Sequence, residues 1–169
     1  MPHYRLLILL LCALWLQSCS ISYKFNGASI DYSKIRSIAI SEFPNNAALV
    51  YPALSADLTQ GIRDIYQRQT RLEVSRKSGD LELEGEITGY ALTPMAISAD
   101  SYSAETKLTI TVKVRFTNNV NPEESFDKTY SAYQTFESSQ MLSDVQEDLC
   151  NLIIKEIAEN IYNDTVARW

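Results

Sequence analysis

Glu82, Glu84 and Glu86 alternate along one stretch of the 169-residue chain, a spacing that puts all three carboxylates on one face of a strand. Paired carboxylates can perform general acid–base chemistry or hold calcium. A solvated strand face is the simpler reading, and the basic strand that follows supplies a better one. The sole histidine is His3, inside a segment that reads as a cleaved leader, so the mature chain would carry none. That excludes a Ser-His-Asp or Cys-His catalytic set and removes the commonest metal ligand. Cys150 falls on the apolar side of a predicted helix and reads as a small buried hydrophobe, not a nucleophile or a zinc ligand. The chain has neither a glycine-rich phosphate loop nor a dinucleotide fingerprint. The expectation is a protein that is not an enzyme and needs no cofactor and no metal.

The residue with chemistry of its own is Cys19. Arg5 opens the chain with a positive charge, Leu6 to Leu16 is almost continuously apolar, and Leu16-Gln17-Ser18-Cys19 follows. The apolar run is shorter than the roughly 20 residues that span a bilayer, and it matches the core of a secretory signal. A small residue just before the cysteine, and Leu three before it, resemble the bacterial lipobox, in which the thiol takes a diacylglycerol. Residues 1–18 therefore read as a signal peptide and Cys19 as the lipid-attachment residue. Residues 19–34 read as a lipidated tether. Two or three acyl chains anchor stably where one is marginal. Ser20 in place of Asp after the cysteine points to the outer membrane.

Beyond the signal, 14 basic and 21 acidic side chains leave a net charge of −7. A surface so acidic disfavours nucleic acid as a partner, because phosphate binding needs a basic face. With 46% hydrophobic and 21% charged residues, the composition fits one ordinary globular domain over residues 35–169. Nine of the ten tyrosines lie outside the signal, an amphipathic load that suits interfaces.

The elements that must position these residues follow from periodicity. Ile35 to Phe43 alternates as a strand, stopped at Pro44-Asn45-Asn46. From Pro52, Leu54, Leu58, Ile62 and Ile65 recur at helical spacing to about Gln69. Thr70 to Ser75 is a short strand, and Leu81–Leu92 and Glu105–Thr117 are the clearest strands. Ser125–Phe136 is a further strand, rich in Tyr and Thr. Ser143 with Gln146 has the form of a capping box before a helix striped by Leu149, Ile153, Ile157 and Ile161. The order β-α-β-β-β-β-α predicts an α+β two-layer sandwich, with two amphipathic helices on one face of a mostly antiparallel four- to five-stranded sheet.

Charge and apolarity together suggest a register for the central hairpin. If partner numbers sum to 197, Glu84 faces Lys113, Glu82 faces Arg115 and Tyr90 faces Lys107. On the other face Leu83 then meets Val114, and Ile87 meets Ile110. The connection from Thr93 to Ala104 should be an exposed loop, and it carries an unusual apolar load in Pro94, Met95, Ile97 and Tyr102.

The segments SEFPNNAALVYPAL, LELEGEITGYALTPMAI, KLTITVKVRFTN and DLCNLIIKEIAENIYNDTVARW, set behind a lipobox, resemble the LptE family of lipopolysaccharide-assembly lipoproteins. The resemblance is to its Bacteroidetes-type members and covers essentially the whole mature chain. One departure is Thr106-Lys107, where those members often carry Asn-Arg. The resemblance implies two helices on a four-stranded sheet. It also implies a role as a plug in the LptD β-barrel of the outer membrane, assisting barrel assembly and delivery of lipopolysaccharide to the surface. On that reading the anionic lipopolysaccharide would meet Arg68, Arg71, Arg76, Lys77 and Lys107, while Met95, Ile97 and Tyr102 would touch the barrel or acyl chains. The protein would be lipid-anchored, facing the periplasm or lying inside the barrel lumen. The alternative is an outer-membrane lipoprotein that activates a peptidoglycan synthase. Such a protein usually needs a long linker, and about 15 residues between Cys19 and the first strand reach only about 50 Å.

Overall fold

Strand β1 (Ser37–Ile40) begins a five-stranded sheet in a computed structural model that describes residues 30–49, 51–95 and 104–167. Helix α1 (Leu54–Gln69), β2 (Glu73–Ser75), β3 (Leu81–Pro94), β4 (Glu105–Asn118), β5 (Phe126–Glu137) and helix α2 (Leu142–Thr165) follow, with one 3₁₀ turn at Pro122–Glu124. The spatial order is β2-β1-β3-β4-β5. β1 lies parallel to both of its neighbours, and β3, β4 and β5 form an antiparallel meander. The observed architecture is the expected α+β sandwich.

Alternation decides which face is covered. Leu83, Ile87, Ile110, Val112 and Val114 are fully buried, together with Leu58 and Ile62 of α1 and Ile153, Ile157 and Ile161 of α2. The other face keeps Glu84, Lys113, Arg115 and Ser131 exposed. Burying the one apolar face is the main source of stability. The two helices approach closely at Gly61, where an added Cβ would lie 2.7 Å from Cγ2 of Ile154.

Where β1 leaves the ladder its backbone still needs partners, and a polar stripe along α1 provides them. Arg63 donates through Nη2 to the Ile40 carbonyl (2.9 Å), and Ser55 donates to the Phe43 carbonyl (2.7 Å). The Phe43 amide in turn donates to Thr59 Oγ1 (3.1 Å). Residues 55, 59 and 63 are spaced four apart, so they share one helix face. The Phe43 ring, fully buried, fills the space above Gly85. The chain then rejoins β3, with the Ile87 amide donating to the Pro44 carbonyl.

β2 and β3 sit on opposite sides of β1, so residues 76–80 must cross that strand. A Cβ on Gly79 would lie 2.8 Å from the Ala39 amide nitrogen. The Asp80 carboxylate accepts from the Arg36 and Ser37 amides (2.8 and 3.0 Å) and from Ser37 Oγ. Those hydrogen bonds, the Arg36 amide first, hold its carboxyl below the ordinary aspartate value.

Several expectations need correction. The hairpin register is not the one that sums to 197. Glu84 pairs with Arg115, Leu83 with Phe116, Glu82 with Thr117 and Ile87 with Val112. A shift of two residues keeps every side chain on its face, so alternation could not reveal it. A bulge at Thr88 then reverses the parity. Tyr90 turns into the core, 5% exposed and opposite Ile110 rather than Lys107. There is no capping box: the α2 N-cap is Met141, and Ser143 lies inside the first turn, bonded to Asp144. Gln146 donates instead to the Tyr90 hydroxyl at 2.6 Å. The first two strands are shorter than their apolar patterns. β3, by contrast, runs past Leu92, and the Met95 amide still donates to the Glu105 carbonyl. Thr93 and Pro94, expected in the connection to Ala104, are therefore strand, and residues 96–103 lie outside the described residues.

Gly85 is the tightest point in this packing, because a Cβ there would lie 2.2 Å from the Lys113 carbonyl oxygen and 2.7 Å from Cε1 of Phe43. Gly85→Ala should cost about 1–3 kcal/mol through overpacking, read as a lower midpoint in denaturant unfolding. An unchanged midpoint would contradict the seating of Phe43 against β3.

Candidate functional site

The open face of the sheet divides into two zones. Near the start of β3, Arg115 reaches Asp127 (3.0 Å) and Glu84 (3.7 Å), while Glu82 accepts from Asn119 and Glu86 from Asn46. These pairings sit beside a groove of about 350 Å³ formed where β1 departs, lined in part by Glu42, Glu84, Glu86, Lys113, Arg115 and Asp127. The groove is open to solvent, and each glutamate of the triplet already has a partner. Among the described residues no three His, Cys, Asp or Glu side chains gather to hold a metal.

Past the bulge the same face becomes small and hydroxyl-rich. Gly89 lies opposite Thr111, Ala91 opposite Thr109 and Thr93 opposite Lys107. β5 adds Thr129, Ser131, Tyr133 and Thr135 in register, and Thr111 and Ser131 share a hydrogen bond. Lys107 lies over the Tyr133 ring, 5.1 Å from its centroid, and Tyr133 is 56% exposed.

A third region is apolar. The ends of β3 and β5 and the start of α2 meet at one end of the sandwich, joined by the Ser138 amide donating to the Ala104 carbonyl. Leu92, Met95 and Met141 stand exposed there. Met95 is thus on the surface, while Ile97, Tyr102 and Cys19 lie outside the described residues.

The five candidate basic residues do not converge. Arg68 and Arg71 flank the α1–β2 connection, Arg76 and Lys77 stand on the strap over β1, and all four are exposed. Asp80, beside them in sequence, turns its carboxylate onto the backbone amides of Arg36 and Ser37. Lys107 belongs to the far zone of the open face. Arg63 was missed from the sequence because it sits in the polar part of a helical repeat. Desolvation lowers its guanidinium pKa, and its Nε is buried with no partner among the described residues. Its bond to Ile40 marks it as a structural anchor.

Buried polar groups in the helix layer are likewise structural. The Tyr66 hydroxyl donates to Thr165 Oγ1, whose own proton goes to the Ile161 carbonyl. Burial raises the Tyr66 pKa and pushes the Tyr90 hydroxyl up to about 12. Burial also pushes the Cys150 thiol up to about 11, so at neutral pH it stays protonated and inert. Cys150 in the native protein should not react with a thiol reagent at pH 8 and should become reactive on unfolding. Rapid labelling of the native state would contradict its burial.

No described helix is long and apolar enough to cross a membrane. Among curated protein sequences none matches significantly. Solved structures share the fold at low identity. A homolog of a neuraminyllactose-binding hemagglutinin from Helicobacter pylori superposes with a TM-score of 0.52 at 10% identity, covering 76% of this chain and 84% of that one. The hypothetical protein CT253 of Chlamydia trachomatis gives 0.50 at 11% identity, over 77% and 98%. Rare lipoprotein B of Shewanella oneidensis gives 0.46 at 12% identity, over 75% and 89%. The model of the family described as "LptE: Lipopolysaccharide-assembly" matches residues 35–165. That match takes in every strand and helix described above, and the chain belongs to the LptE family.

Proposed function

We propose that this chain is an outer-membrane lipoprotein, anchored through Cys19, that plugs an LptD-type β-barrel, assists its assembly and helps deliver lipopolysaccharide to the cell surface. Residues 1–18 serve as the signal and residues 19–34 as the tether. The observation that supports this beyond family membership is the open sheet face. A barrel lumen is polar and wet, and a domain seated in it needs one face that stays soluble without burying its charges. Here that face carries hydroxyls in one zone and mutually paired charges in the other.

In this reading Met95, with Ile97 and Tyr102, meets the barrel wall or acyl chains, where exposed apolar surface gains most. Lys107 on the open face, and Arg68, Arg71, Arg76 and Lys77 on the opposite edge, are the candidate contacts for anionic groups of lipopolysaccharide. Affinity purification of the full-length lipoprotein from outer membranes should recover a large β-barrel protein. Recovery of a peptidoglycan transpeptidase without a barrel would overturn the proposal in favour of a synthase activator.

A further inference from the structure

The two edges of the sheet are built differently. β2 is three residues long, which blunts its edge. β5 runs for 12 residues with no break in register against β4, no Pro and no Gly. Among the described residues no strand lies beyond it.

The pairing fixes which of its backbone groups face outwards. The Ser138 amide donates to Ala104, continuing the ladder in which Glu137 pairs with Glu105. Even-numbered residues of β5 therefore bond to β4, and the groups of Asp127, Thr129, Ser131, Tyr133, Thr135 and Glu137 point away from the sheet. This is a template about 40 Å long at strand spacing. The same six side chains lie on the open face, where Asp127 is already held by Arg115 of β4 and Glu137 is the acid at the other end, with hydroxyls between and no base. Lys128, on the helix side, is already neutralised by Asp164.

We infer that the outer edge of β5 is a docking strand that takes up, antiparallel, an extended segment of the barrel partner in which apolar residues alternate with hydroxyl-bearing and basic ones. The inference deepens the plug reading by naming the contact surface. Added backbone hydrogen bonds supply affinity in such strand addition, and alternate side chains supply selectivity. The charge pattern selects the partner. A second copy of β5 would bring acids and no base to the open face, and pairing about Ala132 would set Asp127 against Glu137. A strand that brings a base to Glu137 complements that end, while Arg115 already serves Asp127 at the other.

The test uses the full-length protein in detergent with two capped nine-residue peptides alternating valine with threonine, one ending in lysines and the other in glutamates. The basic peptide should slow hydrogen exchange of the Thr129, Ser131 and Tyr133 amides by about tenfold or more, and the acidic peptide should bind at least about tenfold more weakly. Ser131→Pro removes an outward N–H that the β4 ladder does not use. It should abolish protection at Thr129 and Tyr133, whereas Ser131→Ala should retain it. Outward amides that exchange equally fast with and without the basic peptide would overturn the inference, as would unchanged binding by Ser131→Pro. A dimer whose outward amides are already slow without peptide would assign the edge to a second copy and overturn it too. If Ser131→Pro does not fold, protection confined to the odd-numbered amides of the wild-type protein decides the question. Because the peptides replace the barrel, failure here is read separately from failure to recover a barrel from membranes.

Discussion

One strand pairing sets the terms for everything else. β3 and β4 run side by side for 14 residues each, and the bulge at Thr88 divides the pair into two parts. Before the bulge, Leu83 and Ile87 face the helices and the glutamates face outwards. After it, Tyr90 takes the inward place and Ala91 the outward one. Without that parity change Tyr90 would point into solvent, and Gln146, near the start of α2, would lose the hydroxyl it bonds. The bulge thus ties the hairpin to α2 while giving the open face its small, hydroxyl-rich second zone.

Polar side chains hold the fold at places where the sheet pattern is interrupted. Ser55, Thr59 and Arg63 satisfy the backbone around Phe43 after β1 stops pairing. Asp80 does the same for residues 36 and 37 beneath the strap. An unmade buried hydrogen bond costs about 1–3 kcal/mol, so these contacts matter more for which packing is adopted than for its total energy. These polar groups are engaged inside the fold, whereas the side chains of the open face are turned to solvent.

Much of this was legible in the sequence. Period-two alternation located β3, β4 and β5, and helical spacing located α1 and α2, because in each case burial of one face fixes the pattern. The two-residue error in register was not avoidable by the same logic. Lys113 and Arg115 share a face, so either can oppose Glu84; in the structure Arg115 does, with Phe116 facing Leu83. Gly85 and Gly89 within an otherwise regular strand were the available sign of a bulge and a close approach. Parallel pairing of β1 with both neighbours depends on a five-residue strap over Ala39, which no periodicity encodes. Of the candidate contacts, alternation placed Lys107 on the outward face, but it could not show that Arg68, Arg71, Arg76 and Lys77 lie at the other edge of the sheet.

In the proposed plug, the open face and its β5 edge meet the barrel together with the apolar end around Met95. Ala91 lies in the centre of the hydroxyl-rich zone and is exposed. A photo-crosslinking side chain placed there in the full-length protein, activated in intact cells, measures directly what that face touches. The account predicts an adduct with a heat-modifiable outer-membrane β-barrel protein. An adduct only with a periplasmic or peptidoglycan-synthesising protein, or none with a barrel that still co-purifies, would contradict it.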